Sequence, residues 1–398
     1  MRLVPISTVI HEIRIGMPLR FNVRDRRGSM LLAEGFMVAS ERTLDGLIER
    51  GVFVDMEEIE AADKVLPPVT SMEVFIESWE DLQTGLRSFL ADEGADPDAR
   101  FIKRCITQIG QLSDRSPDLL LFLILRYDQS LHSDYGVFHA LEVAAVCSLI
   151  AVRLKWSEAD RESLVGAALT MNITITDLQG ELASQVRQGV TDVQHEKILA
   201  HPIEAAALLR KIGITDENWL AAVEQHHEKS GGGGYPANLG NPSTMAQVLR
   251  YIDMFVSKLS SRATRLAELP NLAARQLFLE NHADPLAAVV IKEFGIYPPG
   301  CYVKLASGEI AIVTRRGPHA NTPVVAALTN PDGYALSEPV RRDTSKSAYA
   351  VSEIIGENAV FVRPSWTKLH AMSFGSEPAA ASLEAMVSES EITPGNDS

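Results

Sequence analysis

The sequence predicts a mainly α protein, a helical core flanked by small β-rich modules on its N-terminal and C-terminal sides. Three observations carry that expectation. Apolar residues recur at helical spacing from about Ser71 to Glu293, β-like runs occupy about the first 60 residues, and short β-like runs return after Tyr297-Pro298-Pro299-Gly300. With 46% apolar and 22% charged residues over 398 positions, the composition is that of a folded protein with room for several domains.

Taken in order, residues 1–62 form the first module. In "MPLRFNVRDRRGSMLLAEGFMVA" two apolar stretches surround Asp25 to Gly28, a turn-like cluster that predicts a hairpin. "SERTLDGLIERG" then predicts a short helix, with Ser40 as its cap and Gly51 as its terminator. The paired prolines of "AADKVLPPVT" predict a linker, which opens a connecting region over residues 63–117. The helical domain spans 118–297. Its first segment, "LLLFLIL" from Leu119 to Leu125, stops at Arg126, well short of the ~20 residues that span a bilayer, and is expected to be a buried helix. In "GVFHALEVAAVCSLIAVRL", Val143, Val146, Cys147 and Ile150 keep helical spacing, and "HPIEAAALLRKIG" ends its apolar stripe at Gly213. Residues 298–365 form the second β module, with strand signals in "YVKLASGEIAIVT" and "TPVVAALT" and a turn at Ser307-Gly308. Residues 366–398 are expected to be a disordered tail, since the stretch from Phe374 to Ser398 is acidic and has no Lys or Arg.

A formal charge of −15 repels nucleic-acid backbones, and no basic stripe interleaved with aromatics offsets it, so no nucleic-acid partner is expected. The opening "MRLVPISTVIHEIRIG" has no apolar block followed by a small-residue cleavage site. A cytoplasmic location without membrane insertion is the expectation. Cys105, Cys147 and Cys301 lack CxxC spacing, which excludes a cysteine-based zinc site and predicts buried thiols.

Six of the ten histidines fall between residues 132 and 227. His139 lies on the stripe of Val143, Val146 and Cys147. His201 shares a face with Ala205, Leu208 and Leu209, and His226 and His227 continue the stripe of Trp219 and Val223. Asp253 lies four residues after Leu249 and three before Val256, at the border of a core face. Four imidazoles and a carboxylate converging on a helical interior suit a divalent metal, although a single inward histidine is more often a hydrogen-bonded core residue. His132, His195, His282, His319 and His370 show no such pattern and are read as surface or loop residues.

The stretch "HHEKSGGGGYPANL" resembles the HHExxDGxGYPxGL signature of the HD-GYP family, helical metal-dependent phosphodiesterases that hydrolyse the bacterial messenger cyclic di-GMP. The resemblance covers about residues 120–297 and implies a helical HD-type domain. It implies as metal residues His139, His201, His226, His227 and Asp253. It implies as recognition loop Gly232, Gly234, Tyr235 and Pro236. The sequence departs from the family where the HD pair and its following lysine should stand: Met171 and Asn172 replace the pair, Thr174 the glycine and Ile175 the lysine. Gly231 replaces the aspartate before the glycines, and Tyr135 a glutamate that some members place four residues before the first histidine.

These departures fall on the chemistry. The HD aspartate bridges two ions and helps activate the attacking water, a task for which neutral Asn172 is a weaker ligand. Met171 offers a soft thioether where iron or manganese takes nitrogen or oxygen, and Ile175 brings no charge to a phosphate oxygen. The sequence therefore predicts a non-catalytic HD-GYP-like signalling protein that docks to a partner or senses cyclic di-GMP. The resemblance implies a diguanylate cyclase of the GGDEF type as partner. The expected cofactor is none or one divalent ion, zinc, iron or manganese, held by His201, His226 and His227. The alternative is an active cyclic di-GMP phosphodiesterase with an altered ligand set.

Overall fold

The structure, a computed structural model, describes residues 2–362 apart from 14–18, 20, 35, 37, 39, 64–70, 92–98, 127–131, 187–188 and 282–283, together with Leu369. The chain divides into two compact units, residues 1–295 and residues 296–398.

The first unit opens with an antiparallel sheet of β1 (Leu3–Pro5), β2 (Val23–Arg24), β3 (Met30–Leu32) and β4 (Phe53–Asp55), in the order β1-β4-β2-β3. The hairpin expected around Asp25 is the β2–β3 connection. One Asp25 carboxylate oxygen accepts the amides of Arg27 and Ser29, each at 2.8 Å, and Gly28 supplies a φ of +86°. The helix α1 (Glu41–Glu49) begins at Ser40, whose hydroxyl accepts the Thr43 amide, and is followed by Gly51 at φ +61°. Ile6, Val9, Phe21, Val23, Val54 and Met56 form the core of this module. The next helix, α2 (Met56–Asp63), takes in the first three residues of the segment expected to be a linker. Apolar Met56 and Ile59 pack into the sheet's core and draw the helix through Ala61–Asp63. The prolines that carried that expectation lie outside the described residues.

Eleven further helices follow among the described residues: α3 (Met72–Ala91), α4 (Ala99–Arg115), α5 (Pro117–Arg126), α6 (Tyr135–Arg153), α7 (Glu158–Thr170), α8 (Thr176–Ser184), α9 (Asp192–Lys211), α10 (Glu217–Gln225), α11 (Thr244–Leu259), α12 (Pro270–Glu280) and α13 (Pro285–Phe294). Helix α6 is the axis of the bundle. Every residue from Tyr135 to Ala151 is buried, because α3, α4, α5, α7, α8, α11 and α13 all pack against it. By length and composition α6 could cross a bilayer, but its apolar faces are covered by these neighbours. As expected, "LLLFLIL" is a buried helix, α5, with Leu119 to Ile124 enclosed. Gly166 on α7 lets α10 approach: a Cβ there would lie 2.6 Å from the Trp219 ring, whose indole N–H donates to the Thr170 hydroxyl at 2.9 Å. This contact fixes the helix that ends at the paired histidines.

The second unit contains β5 (Tyr302–Leu305), β6 (Ile310–Arg315), β7 (Val324–Thr329), β8 (Ala335–Asp343) and β9 (Val351–Ile355), an antiparallel sheet in the order β8-β7-β6-β5-β9. Gly308 turns β5 into β6 at φ +90°. Strands β8 and β9 carried no sequence signal. Both are edge strands: β8 is mostly exposed and β9 is half-buried at Val351, Ile354 and Ile355 with two exposed residues between, so neither shows a strict apolar alternation. Buried Glu309 is held by Arg342, which donates Nε at 3.1 Å and Nη2 at 2.6 Å to the same carboxylate oxygen. All three cysteines are buried, as expected. Apart from Leu369, the tail expected over residues 366–398 lies outside the described residues, as do His282 and His370.

Candidate metal centre

Helix α9 carries His201 in a His-Pro pair. An α-helix bonds each N–H to the carbonyl four residues back, so a residue at 202 would ordinarily engage the carbonyl of Ile198. Pro202 has no N–H, and that carbonyl instead accepts the Nδ1–H of His201 at 2.6 Å. The proline inside the helix thereby sets the tautomer of its neighbour. A carbonyl is likewise left without a helical N–H at the end of α10, where the last carbonyls lack helical partners. There Val223 accepts the Nδ1–H of His226 at 2.7 Å. Both imidazoles are left with an Nε2 lone pair, and the two Nε2 atoms face each other at 3.1 Å.

His227, on the turn after α10, completes the group. One ligand nitrogen from each of His201, His226 and His227 lies within 4.8 Å of the others, and His226 and His227 pack with ring centroids 4.1 Å apart. Burial pushes the His201 imidazole down to about 3, with the neighbouring His226 adding to the shift and the Ile198 carbonyl opposing it. Burial also lowers His226, and burial together with His226 holds His227 well below the usual histidine range. All three are neutral at pH 7, so each offers a lone pair. Two lone pairs facing at 3.1 Å repel unless a cation lies between them, and three neutral imidazoles are a donor set for a zinc-like ion. The residues fit a metal.

His139 and Asp253 are arranged differently. His139, on α6, is buried, and its Nε2 is 2.7 Å from Oδ1 of Asp253 on α11. Burial pushes the Asp253 carboxyl up, but the bond from His139 and the nearby imidazoles outweigh it and hold the group below the usual carboxylate range. The Asp253 carboxylate accepts, so Nε2 of His139 carries the proton. Tyr135 stacks on His139 with centroids 5.4 Å apart, and its hydroxyl accepts from Arg262 Nη2 at 2.8 Å. Met171, Asn172 and Ile175 occupy the turn between α7 and α8, all three buried.

The glycine loop closes over the triad. Gly231, Gly232 and Gly233 all have positive φ, and Gly234 passes so close to the chain that a Cβ would lie 2.5 Å from Cα of Glu228. The amides of Gly231, Gly232 and Gly233 are bonded within the loop, to the carbonyls of Gly240 and Lys229 and to the Asn238 side chain. Tyr235 stacks on His227 at 4.5 Å, and Pro236 follows it on the exposed side. Sequence reasoning assigned no role to Glu228, whose buried carboxylate accepts the amides of Ala237 at 2.7 Å and Leu239 at 2.9 Å. Its position directly after the two histidines was the available signal. The structure thus gathers His201, His226, His227 and Tyr235 at one place, pairs His139 with Asp253, and leaves His132 half-buried and His195 and His319 exposed.

An HD-domain family model matches residues 120–282. Over 203 residues the chain is 26% identical to the cyclic di-GMP phosphodiesterase PA4108 of Pseudomonas aeruginosa, an alignment that takes in 50% of this chain and 48% of that protein. The chain therefore spans about half the length of the curated relative it matches. Among solved structures it is similar to Bd1817, an HDG"Y"P protein from Bdellovibrio bacteriovorus, with a TM-score of 0.44, 13% identity, and coverage of 73% of this chain and 97% of that one.

Proposed function

The chain carries an HD-GYP-like domain, and from that premise we propose that it acts without catalysis in cyclic di-GMP signalling, by docking to a protein partner or by sensing the nucleotide. The observation that carries this reading is the buried turn Met171-Asn172, followed by Ile175. At the position that resembles the bridging aspartate stands an amide, which brings no negative charge to a pair of dications. A buried isoleucine stands where a lysine would meet phosphate. The loop Gly232–Pro236 is meanwhile held, by the bonds of the Gly232 and Gly233 amides to the Lys229 carbonyl and the Asn238 side chain and by the Glu228 anchor just beyond it, which favours recognition as its remaining role. A divalent ion on the triad would supply local positive charge and a Lewis-acid contact for a ligand oxygen. The nucleotide enters this proposal through the relative's activity, and a partner of the diguanylate cyclase type through the family resemblance.

The test is incubation of the purified full chain with cyclic di-GMP in the presence of iron, manganese and zinc in turn. No turnover is expected. Metal-dependent hydrolysis that disappears in His227→Ala or Asp253→Ala would establish the competing reading, a phosphodiesterase using His139, Asn172, His201, His226, His227 and Asp253. Calorimetry then separates sensing from docking: saturable heat with cyclic di-GMP supports sensing, and its absence with retention of a diguanylate cyclase on the immobilised chain supports docking.

A further inference from the structure

We infer that the centre is a one-ion site, in which His201, His226 and His227 hold the metal while His139 and Asp253 form a metal-free pair beside it. The inference rests on the domain assignment and not on whether the protein turns over nucleotide.

Three observations separate the two halves. The first is the outer hydrogen bond of each imidazole. A histidine that ligates a metal almost always donates its other ring N–H to a carbonyl or carboxylate, which orients the ring and raises its basicity. His201 and His226 have that bond, to Ile198 and Val223. His139 does not: its Nδ1 is buried with no hydrogen-bond partner, and its Nε2 is the atom bonded to Asp253. The nitrogen that would face a metal carries a proton, and the nitrogen that would be supported from behind is unsupported.

The second observation is charge. A second dication next to the first needs bridging anions to offset their repulsion. Asn172 provides none, and the Asp253 carboxylate is engaged by His139 at 2.7 Å. The third is the cover over His139. The Tyr135 ring lies parallel to the imidazole, with 9° between the planes, and the Arg262 guanidinium sits 4.8 Å from that ring's centroid. The positive charge of this half-buried guanidinium, held by its bond to the Tyr135 hydroxyl, disfavours an additional dication nearby.

The experiment begins with full-length protein stripped by a chelator, reconstituted separately with zinc and cobalt(II), desalted and analysed for metal per chain. One ion per chain is expected in the wild type, and one is expected to persist in H139Q and D253N, which keep a hydrogen bond between the two positions. None is expected in H226A. Histidine nitrogen NMR of the wild type with and without zinc removes dependence on variants that fail to fold. The ring nitrogens of His201, His226 and His227 should shift on zinc addition, and those of His139 should not. Two ions per chain, no ion, or a zinc-induced shift of His139 to the metal-bound range would overturn the inference. Hydrolysis of cyclic di-GMP by a one-ion protein would instead overturn the non-catalytic reading and leave this inference standing.

Discussion

At the scale of single residues, Pro202 decides more than its size implies. A proline in a helix interior costs about 3 kcal/mol through the lost N–H and its clash with the preceding turn. Here the lost N–H leaves the Ile198 carbonyl for His201. The variant Pro202→Ala is therefore expected to act with opposite signs on two measurements. Thermal melting of the metal-free protein should move upward as the helical bond from residue 202 forms. Zinc affinity, measured against a competing chelator, should fall about tenfold, the lower end of what losing an outer hydrogen bond to a metal histidine costs. An unchanged affinity would show that the His201 tautomer is set by something else. Of the site, the sequence made legible which histidines face inward, because helical spacing determines that. The division into a triad and a pair was not legible, because it depends on which carbonyls the helices leave free.

At the scale of elements, the loop from His227 to Gly240 is held by one side chain. Glu228 takes two amides, and the absence of a Cβ at Gly234 lets the chain pass against Glu228. A carboxylate offers two acceptor oxygens and a glutamine only one, so Glu228→Gln would leave the Ala237 or Leu239 amide facing an NH₂ group. The loss of a buried hydrogen bond to a charged acceptor costs about 1–3 kcal/mol. Amide hydrogen exchange of residues 231–240 should therefore quicken in Glu228→Gln while α6 stays as protected as before, and zinc content should not change. In Gly234→Ala the clash is with backbone, which cannot move aside as a flexible side chain can, so the Tyr235 stack on His227 should be lost as well. Equal exchange in wild type and Glu228→Gln would remove the carboxylate from its anchoring role. The glycine run was legible as a loop through the family resemblance. Its anchor was not, because Glu228 works on residues nine and eleven positions ahead.

At the scale of the whole molecule, the helical core and the flanking sheets were readable from periodicity, since burial of a continuous stripe imposes it. The edge strands β8 and β9 were not, since the mostly exposed β8 and the half-buried, non-alternating β9 impose no period-two pattern. Burying the centre in that core has a thermodynamic consequence. His201, His226 and His227 bind protons less readily in the folded chain than in the unfolded one, mainly through burial. Between the ordinary histidine value of about 6.5 and the folded values, the unfolded state holds more protons, so stability rises with pH in that window. For these groups the stabilising contribution is fully present above about pH 6.5 and is lost as pH falls toward about 3, the value to which His201 is pushed. The Asp253 carboxylate, also lowered, keeps its contribution above the ordinary carboxylate value of about 4 and loses it further down. The melting temperature of the metal-free helical unit should therefore decline steadily from pH 7 to pH 4, before acid acts on Asp253. Protons and metal compete for the same lone pairs, so the rise in melting temperature produced by zinc should also shrink over this range. In His201→Gln one of the three titrations is removed, and the decline should be shallower. A wild-type melting temperature that stays flat between pH 7 and pH 4 would mean that the triad is solvated in solution and that its imidazoles titrate as exposed groups do.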